Sequence, residues 1–176
     1  EAYGLTETSP GVCCVPLGAP WDGTVGLPLP STGVSIRDES FNELPVWTGA
    51  GDIEKHTGEL CVRGPQVMKG YWNNPVETAD VLRAGWLKTG DIGHLDDQGR
   101  VTITDRKKDM ILVSGFNVYP TEVESVVVAH PGVLECAVVA VPDEKSGEAV
   151  KVVIVRKDLN LTKEDVIEHC RAQLTS

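Results

Sequence analysis

The sequence is poor in the features that mark membrane, disulfide-stabilised and metal-binding proteins. No apolar run approaches the roughly 20 residues that cross a bilayer, and no signal peptide opens the chain. The five cysteines are odd in number, include one adjacent pair and lack Cys-x-x-Cys spacing, which predicts reduced thiols packed among apolar neighbours. The four histidines share no ligand spacing with one another or with the cysteines, so a zinc site is not expected.

Positive charge is also scarce. Lysine and arginine number 16 against 26 aspartates and glutamates, which gives a net charge of −10 and an isoelectric point near 4.8. Because such a chain repels phosphate backbones outside any local basic patch, a nucleic-acid partner is not expected. The phosphate-binding pattern GxxxxGK[ST] is absent as well.

The most informative stretch of the sequence is residues 85–124. It contains a Gly90-Asp91 pair that predicts a tight turn with a projecting carboxylate, and a hairpin turn at 96–99. An alternating strand follows, and then a run of three cations at residues 106–108. Three adjacent cations in an acidic chain predict an anionic partner. Residues 113–120 predict a turn that ends on Pro120 at a first helical position.

The rest of the chain divides into two patterns. Residues 1–74 predict short strands joined by turns, followed by a short helix whose cap is Asn74. After Pro120 the sequence predicts a helix over 121–129, two apolar strands over 134–141 and 149–156, and a final helix capped by Thr162. We therefore predict a mixed α/β fold: a small β-barrel-like subdomain, the end of a large N-terminal domain, followed by a small α+β C-terminal domain.

The central stretch resembles a known family. Residues 105–120 read DRKKDMILVSGFNVYP, which is similar to the adenylate-forming superfamily of acyl-CoA synthetases, adenylation domains and luciferases, and within it to bacterial long-chain fatty acid–CoA ligases. Residues 85–108 resemble the longer fatty acyl-CoA synthetase signature. They depart from it at Lys88, Leu95 and Asp97, where histidine, tryptophan and proline are usual.

The resemblance implies a set of site residues. The opening YGLTE is similar to the superfamily's adenine and magnesium motif, in which Tyr3 and Gly4 would bind adenine, Thr6 would contact phosphate and Glu7 would hold Mg²⁺. Asp91 and Arg106 match its ribose-binding residues, and Ile103 could pack against the nucleotide or simply be an inward strand residue. Gly115 and Phe116 match a loop that approaches the coenzyme A arm. By the same resemblance Thr6, Glu7 and Lys108 would be catalytic, with Lys108 as the hinge.

The function that this resemblance implies is ATP-dependent ligation of a long-chain fatty acid to coenzyme A, through an acyl-adenylate. The phosphate loop and the distal lysine of that superfamily would lie outside the sequence, so we expect an enzyme fragment that is inactive alone. Ligation of another carboxylic acid, an amino-acid adenylation domain and a non-catalytic nucleotide-binding module stay open as alternatives.

The expected division places residues 1–106 in the large AMP-binding domain and residues 107–176 in a mobile C-terminal domain. A short charged joint is where two rigid bodies could pivot. The expected partners are ATP, Mg²⁺, fatty acid and coenzyme A. We expect a cytoplasmic protein, with peripheral attachment to the inner face of the membrane and homodimerisation left open.

Overall fold

The computed structural model describes residues 1–174, and it divides the chain into two compact units, Glu1–Lys107 and Lys108–Ser176. Strands make up 39% of the chain and helices 21%, and one sheet curls into a half-barrel, which confirms the mixed α/β prediction. The reading of the two units as the end of a nucleotide-binding domain and a mobile domain stays a prediction. No helix among the described residues is long and apolar enough to cross a membrane.

The first unit consists of two antiparallel sheets, one α-helix and two short 3₁₀ helices, Thr6–Thr8 and Ile53–His56. Its elements are β1 (Ala2–Gly4), β2 (Gly11–Cys14), β3 (Leu27–Pro28), β4 (Gly33–Arg37), β5 (Gly58–Arg63), α1 (Pro75–Val81), β6 (Leu82–Arg83), β7 (Trp86–Leu95) and β8 (Val101–Arg106). Strands β1, β2 and β3 form a three-stranded sheet in that order. The second sheet has the order β4-β5-β7-β6, with β8 also paired to β7.

The core of the first unit lies where its two sheets bring apolar side chains together. Val12 and Cys13 of β2 are buried with Leu60 and Val62 of β5 and with Val101 of β8. The prediction that the cysteines pack as reduced thiols holds for Cys13 and Cys61, which are buried and free. Burial raises the pKa of both thiols to about 12, so they behave as small apolar side chains rather than as nucleophiles.

The second unit places two helices on a four-stranded antiparallel sheet. Its elements are β9 (Ile111–Val113), β10 (Phe116–Val118), α2 (Pro120–Val128), β11 (Val133–Asp143), β12 (Gly147–Arg156) and α3 (Lys163–Gln173), and the strand order is β10-β9-β12-β11. Its core joins Ile111 of β9, Val123 and Val127 of α2, Val138 of β11 and Val166 of α3.

Local signals predicted where the helices begin, whereas α1 ends at Val81, before the expected stop at Gly85, because residues 82–83 pair as β6. Pro120 is the first residue of α2, and the Asn74 side chain accepts the Glu77 backbone N–H at the start of α1. The predicted cap of α3 is a full capping box, in which Thr162 accepts from the Asp165 backbone and Asp165 accepts in return.

Two predicted turns have a different structure from the one expected. Gly90-Asp91 lies inside the continuous ten-residue strand β7 rather than at its end. The turn predicted over 113–120 is part of a hairpin, in which β9 (Ile111–Val113) and β10 (Phe116–Val118) are joined by Ser114-Gly115, both with positive φ. Strands of three residues are too short to show an alternating pattern, so the sequence indicated only the turn.

Candidate functional site

A bulge in strand β7 carries Asp91. Glu59 of β5 pairs with Ile92 and Cys61 pairs with Lys88, so that a single residue of β5 lies opposite residues 89–91. Gly90 has φ +75°, a conformation that glycine adopts without a steric penalty. The predicted glycine-dependent bend therefore exists, but it bends a strand instead of ending it, and it aims the next side chain differently from its strand neighbours.

Hydrogen bonds to the neighbouring strand hold the bulge. The Thr89 hydroxyl donates to the Leu60 carbonyl at 2.8 Å and accepts from the Asp91 backbone N–H at 3.1 Å. The Gly90 N–H donates to Glu59 Oε1 at 3.2 Å. The groups that the bulge removes from the β-ladder are thus bonded to side chains, so the backbone next to Asp91 is fixed before any ligand binds.

The Asp91 carboxylate is buried and lies between two predicted site residues. Its exposure is 6%, and the Tyr3 hydroxyl donates to its Oδ2 at 2.6 Å. Arg106, its cross-strand partner in β8, has Nε 3.6 Å from Oδ1. The structure therefore brings Tyr3, Asp91 and Arg106 together, although Tyr3 is 88 residues from Asp91 in sequence.

The geometry of this cluster leaves acceptor and donor capacity free. At 3.6 Å the Arg106 contact is an ion pair but is longer than a good hydrogen bond, and the arginine side chain is 62% exposed. Burial, and then the bond to Asp91, raise the pKa of the Tyr3 hydroxyl well above its ordinary value, so Tyr3 stays a neutral donor. A ligand with vicinal hydroxyls could bond to Oδ1 while Arg106 meets a nearby oxygen or phosphate.

A second ion pair lies beside the bulge and was not predicted from the sequence. Lys107 Nζ donates to Glu59 Oε2 at 2.9 Å, and Glu59 is only 7% exposed. Its other oxygen accepts the Gly90 N–H described above. Arg106 and Lys107, the first two residues of the cationic run 106–108, therefore each have a carboxylate partner within the first unit. The sequence signal that could have suggested this is a glutamate within the apolar run of β5.

The opening motif forms a turn that is anchored to the loop before α1. Residues Thr6–Thr8 make a 3₁₀ turn, and the Tyr71 hydroxyl donates to Glu7 Oε1 at 2.8 Å. The Met68 N–H donates to the Glu7 carbonyl at 2.8 Å. The bond to Glu7 raises the pKa of Tyr71 to about 12. Tyr71 is a candidate site residue that the sequence reasoning missed, because 64 positions separate it from its partner.

Gly4 and Thr6 have distinct places in this turn. A Cβ on Gly4 would lie 1.9 Å from the Pro10 carbonyl oxygen, so only glycine permits the close approach of β1 and β2 there. Thr6 is exposed, as a residue that meets a ligand must be.

Glu7 could supply one ligand to a divalent cation. Within residues 1–174 it belongs to no cluster of three or more His, Cys, Asp and Glu side chains that could hold a metal. Magnesium is commonly held by one or two carboxylates together with water and substrate phosphates, so a single half-buried carboxylate fits that ion.

Ile103 packs against the core of the first unit. It lies in β8 beside the buried Val101 and is partly buried against that apolar cluster. Ile103 thus lies where an inward-facing strand residue would lie, which is one of the two interpretations that the sequence left open.

The remaining predicted site residues belong to the second unit and are described there alone. Lys108 is exposed in the 3₁₀ turn Lys107–Asp109. Gly115, with φ +88°, lies in the β9–β10 turn beside Phe116, whose side chain is 76% exposed. The Ser114 N–H, also in that turn, donates to the Ser146 carbonyl at 2.9 Å. A large exposed aromatic residue on a braced turn is suited to contact with a ligand or another surface.

Two domain descriptions of one enzyme family match parts of this chain. Residues 1–72 match the family described as AMP-binding enzyme, and residues 122–176 match the AMP-binding enzyme C-terminal domain. A long-chain-fatty-acid–CoA ligase of Yersinia pestis is 54% identical over 99% of this chain, and one of Bacillus subtilis (strain 168) is 44% identical over 99%. The crystal structure of ATP-bound MatB from Rhodopseudomonas palustris has a TM-score of 0.87 at 39% identity, covering 100% of this chain and 34% of its own.

The chain belongs to the AMP-binding, adenylate-forming enzyme family. It spans about 30% of the length of the curated ligases that it matches.

Proposed function

We propose that this chain is part of an AMP-forming long-chain fatty acid–CoA ligase and that it supplies the nucleotide-facing portion of the active site. The observation that carries the proposal is the buried Asp91 carboxylate on its bulge, bonded to Tyr3 and paired with Arg106. The similarity to fatty acid–CoA ligases over 99% of the chain supports the choice of substrate class.

Asp91 would bind the ribose of ATP. Its Oδ1 accepts from the ribose hydroxyls while Tyr3 holds Oδ2, and Arg106 bonds a ribose or phosphate oxygen with its exposed fork. Tyr3 would also present its ring to the adenine. Thr6 lies on the exposed side of its turn, where a hydroxyl can donate to the α-phosphate.

Glu7 would hold Mg²⁺ on ATP, with Tyr71 fixing one of its two carboxylate oxygens. The ion would neutralise charge on the phosphates during attack by the fatty acid carboxylate. That attack gives acyl-AMP and pyrophosphate. In the second step the coenzyme A thiol displaces AMP and forms the thioester. The β9–β10 turn, with Gly115 and Phe116, would face the pantetheine arm in that step.

Lys108 would be the hinge between the two half-reactions. It is the first residue of the second unit and lies in a short exposed turn, so a change of its backbone dihedrals would reorient that unit as a rigid body.

Asp91→Ala in the full-length ligase tests the proposal. Loss of hydrogen bonds to a buried charged acceptor should cost about 2–4 kcal/mol, which is roughly a 30- to 1,000-fold fall in kcat/KM for ATP. The KM for fatty acid should change little. Asp97→Ala, which removes an exposed aspartate from the nearby hairpin turn, is the matched control and should behave as the wild type. An unchanged KM for ATP together with an unchanged kcat in Asp91→Ala would remove Asp91 from the site.

The isolated 176-residue chain should be inactive by itself, because the proposed phosphate loop and distal lysine are not in this sequence. ATP–pyrophosphate exchange with palmitate and Mg²⁺ measures this directly. Exchange above a blank without protein would refute the proposal that the active site needs those further segments.

A ligase for a different carboxylic acid is the second candidate. The o-succinylbenzoate CoA synthetase MenE from Bacillus subtilis, solved with its acyl-adenylate intermediate, has a TM-score of 0.79 at 31% identity and covers 99% of this chain. Comparing kcat/KM for palmitate and for short and aromatic acids in the full-length protein distinguishes the two candidates.

A further inference from the structure

Five side chains of the first unit stack alternately as cation and aromatic ring. The order is Arg63, Trp86, Arg37, Phe41 and Arg83, and the guanidinium carbons lie 4.6, 5.0, 4.5 and 4.7 Å from the successive ring centroids. We call this stack the arginine ladder. Each contact is within the range of a cation–π interaction, so both rings have two cationic neighbours. The ladder shares no residue with the Asp91 site.

The second sheet positions the cations of the ladder. Arg83 of β6 is the cross-strand partner of Trp86 in β7, and Arg37 and Arg63 are the last residues of β4 and β5. Arg63 lies across Gly33: a Cβ at that glycine would be 2.9 Å from both Cγ and Nε of the arginine.

A strained loop positions the second ring. Phe41 has φ +73°, which is unfavourable for an aromatic residue. Its N–H donates to the Asp38 carbonyl at 2.9 Å, and its own carbonyl accepts from Arg37 Nη1 at 2.8 Å. The Asp38 carboxylate accepts both the backbone N–H and the side-chain amide of Asn42. Strain of this kind persists where the surroundings over-determine it, and it concentrates at ligand-binding segments.

The ladder brings three cations together, none of which is ion-paired with a carboxylate within residues 1–174. Within residues 1–174, Arg37, Arg63 and Arg83 form no ion pair with a carboxylate, whereas Arg100 and Arg106 do. The nearby Asp38 carboxylate accepts from the neutral Asn42 and forms no ion pair with the three arginines. Arg37 Nε is buried and has no hydrogen-bond partner among the described residues. Three guanidiniums without an ion-pair partner form a local basic site in a chain of net charge −10, even with Glu59 and Glu43 opposite Arg37 in the sheet.

The stacking leaves the donor edges of the guanidiniums free. The rings cover the flat faces, while the N–H groups of a guanidinium point outward in its plane. No hydrogen bond from Arg63 or Arg83 to protein is present within residues 1–174, and both side chains are exposed. Stacking also restricts their rotamers, so less freedom remains to be lost when an anion binds.

We propose that the arginine ladder is a binding site for a phosphate group, either a phosphate monoester or a diphosphate. Tetrahedral oxyanions with two or more negative charges suit several guanidinium forks at once, whereas a single carboxylate can use only one of them fully. Soluble phosphate compounds and phospholipid headgroups both carry such a group, and the site would bind the phosphate in either case.

The test titrates the 176-residue chain with inorganic phosphate and with pyrophosphate at constant ionic strength. The readouts are the NMR signals of the Trp86 indole N–H and the Arg37 Nε–H, which report on the ladder and not on the Asp91 site. Both signals should shift and saturate, with pyrophosphate the tighter ligand, and chloride should not reproduce the shifts. Shifts that never saturate, or that chloride matches, overturn the proposal.

The double variant Arg63→Gln/Arg83→Gln removes two guanidinium groups and should lower the affinity for pyrophosphate roughly tenfold or more. Lys163→Gln/Arg171→Gln removes the same charge from exposed positions on α3 and should leave the affinity unchanged. The double variant Arg63→Lys/Arg83→Lys keeps the charge but loses the planar guanidinium groups, so it should bind pyrophosphate more weakly than the wild type. It provides the test if the glutamine variant does not fold. Equal affinities of the wild type and the lysine variant would overturn the proposal that the guanidinium groups of the ladder bind the phosphate.

Sedimentation with vesicles of phosphatidylglycerol and phosphatidylcholine separates the two sources of phosphate. Binding that the ladder variants lose assigns the site to a lipid headgroup. Saturable pyrophosphate binding without vesicle binding assigns it to a soluble phosphate compound. An absence of both refutes a phosphate site.

Discussion

Replacing Tyr3 by phenylalanine removes one hydroxyl that donates at 2.6 Å to the buried Asp91 carboxylate. The ring and its packing stay, so the change isolates the hydrogen bond. Bonds to charged groups contribute about 1.5–3 kcal/mol, and Asp91 at 6% exposure has little water to replace the lost donor. Its contact with Arg106 remains and offsets part of the loss. We expect the first unit of Tyr3→Phe to be about 2 kcal/mol less stable at pH 7.

The difference between the two proteins should depend on pH. Burial and the bond to Asp91 raise the pKa of Tyr3 in the folded state, while in the unfolded chain it is near 10.0. Above that pH the unfolded chain releases a proton that the folded chain retains, so rising pH favours unfolding. The contribution of Tyr3 is fully present below pH 10 and falls by about 1.4 kcal/mol at pH 11. Phenylalanine cannot titrate, so the difference in the free energy of unfolding between the wild type and Tyr3→Phe should decrease by that amount.

Urea unfolding followed by tryptophan fluorescence measures this prediction. All four tryptophans lie in the first unit, so the signal reports that unit alone. Tyr71→Phe, which removes a hydroxyl from the more accessible Glu7, is the matched control and should cost about 1 kcal/mol or less at pH 7. A Tyr3→Phe protein as stable as the wild type at pH 7, or a gap that widens above pH 10, would refute the reasoning.

Three further outcomes are expected. Lys108→Pro in the full-length ligase should preserve acyl-AMP formation and slow acyl transfer to coenzyme A by orders of magnitude in single-turnover assays, because proline fixes φ. Lys108→Ala should have a much smaller effect on transfer, and an equal loss in both half-reactions of Lys108→Pro would indicate misfolding. Val127→Ala, at a fully buried position of α2, should destabilise the second unit by about 2 kcal/mol in urea unfolding followed by circular dichroism. At the neighbouring Val128, which is 49% exposed, the same substitution should change the free energy of unfolding by under about 0.5 kcal/mol, and similar values for the two variants would contradict the assigned core. Gly4→Ala should lower the thermal midpoint, since its Cβ would overlap the Pro10 carbonyl, and an unchanged midpoint would show that β1 and β2 can separate there.

Features that depend on a few neighbouring residues were predictable from the sequence. Asn74 and Thr162 cap helices where the capping rules place them, because a cap bonds within its own first turn. Pro120 takes the first helical position of α2, where its missing N–H has no partner to lose. The turn at Asp96–Gly99 also follows from local chemistry: Asp96 accepts the N–H groups of both Gln98 and Arg100.

The Gly90-Asp91 pair shows where local reasoning stops. A glycine before an aspartate predicts a bend, and the positive φ of Gly90 is that bend. Whether it ends a strand or bulges it depends on the neighbouring strand, in this case on Glu59 and Leu60 of β5. Information about that pairing is absent from residues 85–95 themselves, so the turn was predicted and the bulge was not.

The same distinction between local and long-range information applies to the candidate site. Residue types at matching positions named Tyr3, Glu7, Asp91 and Arg106 as candidates through their resemblance to a family. The partners that hold them were not predictable, since Tyr71 is 64 residues from Glu7, and Lys107 is 48 from Glu59. Neither pair has a spacing that a helix or a strand would make visible.

The sequence by itself determined the helix starts, the glycine turns, the mixed α/β class and the chemical types available to a site, because each depends on contacts between residues close along the chain. Tertiary structure alone decided that Asp91 is buried between Tyr3 and Arg106, that Glu59 takes up the Lys107 charge, and that three arginines from different strands stack on two rings. Nearly all of those contacts, except that of Arg37 with Phe41, join residues that are far apart in sequence, and their energies depend on burial, which exists only once the sheets have formed.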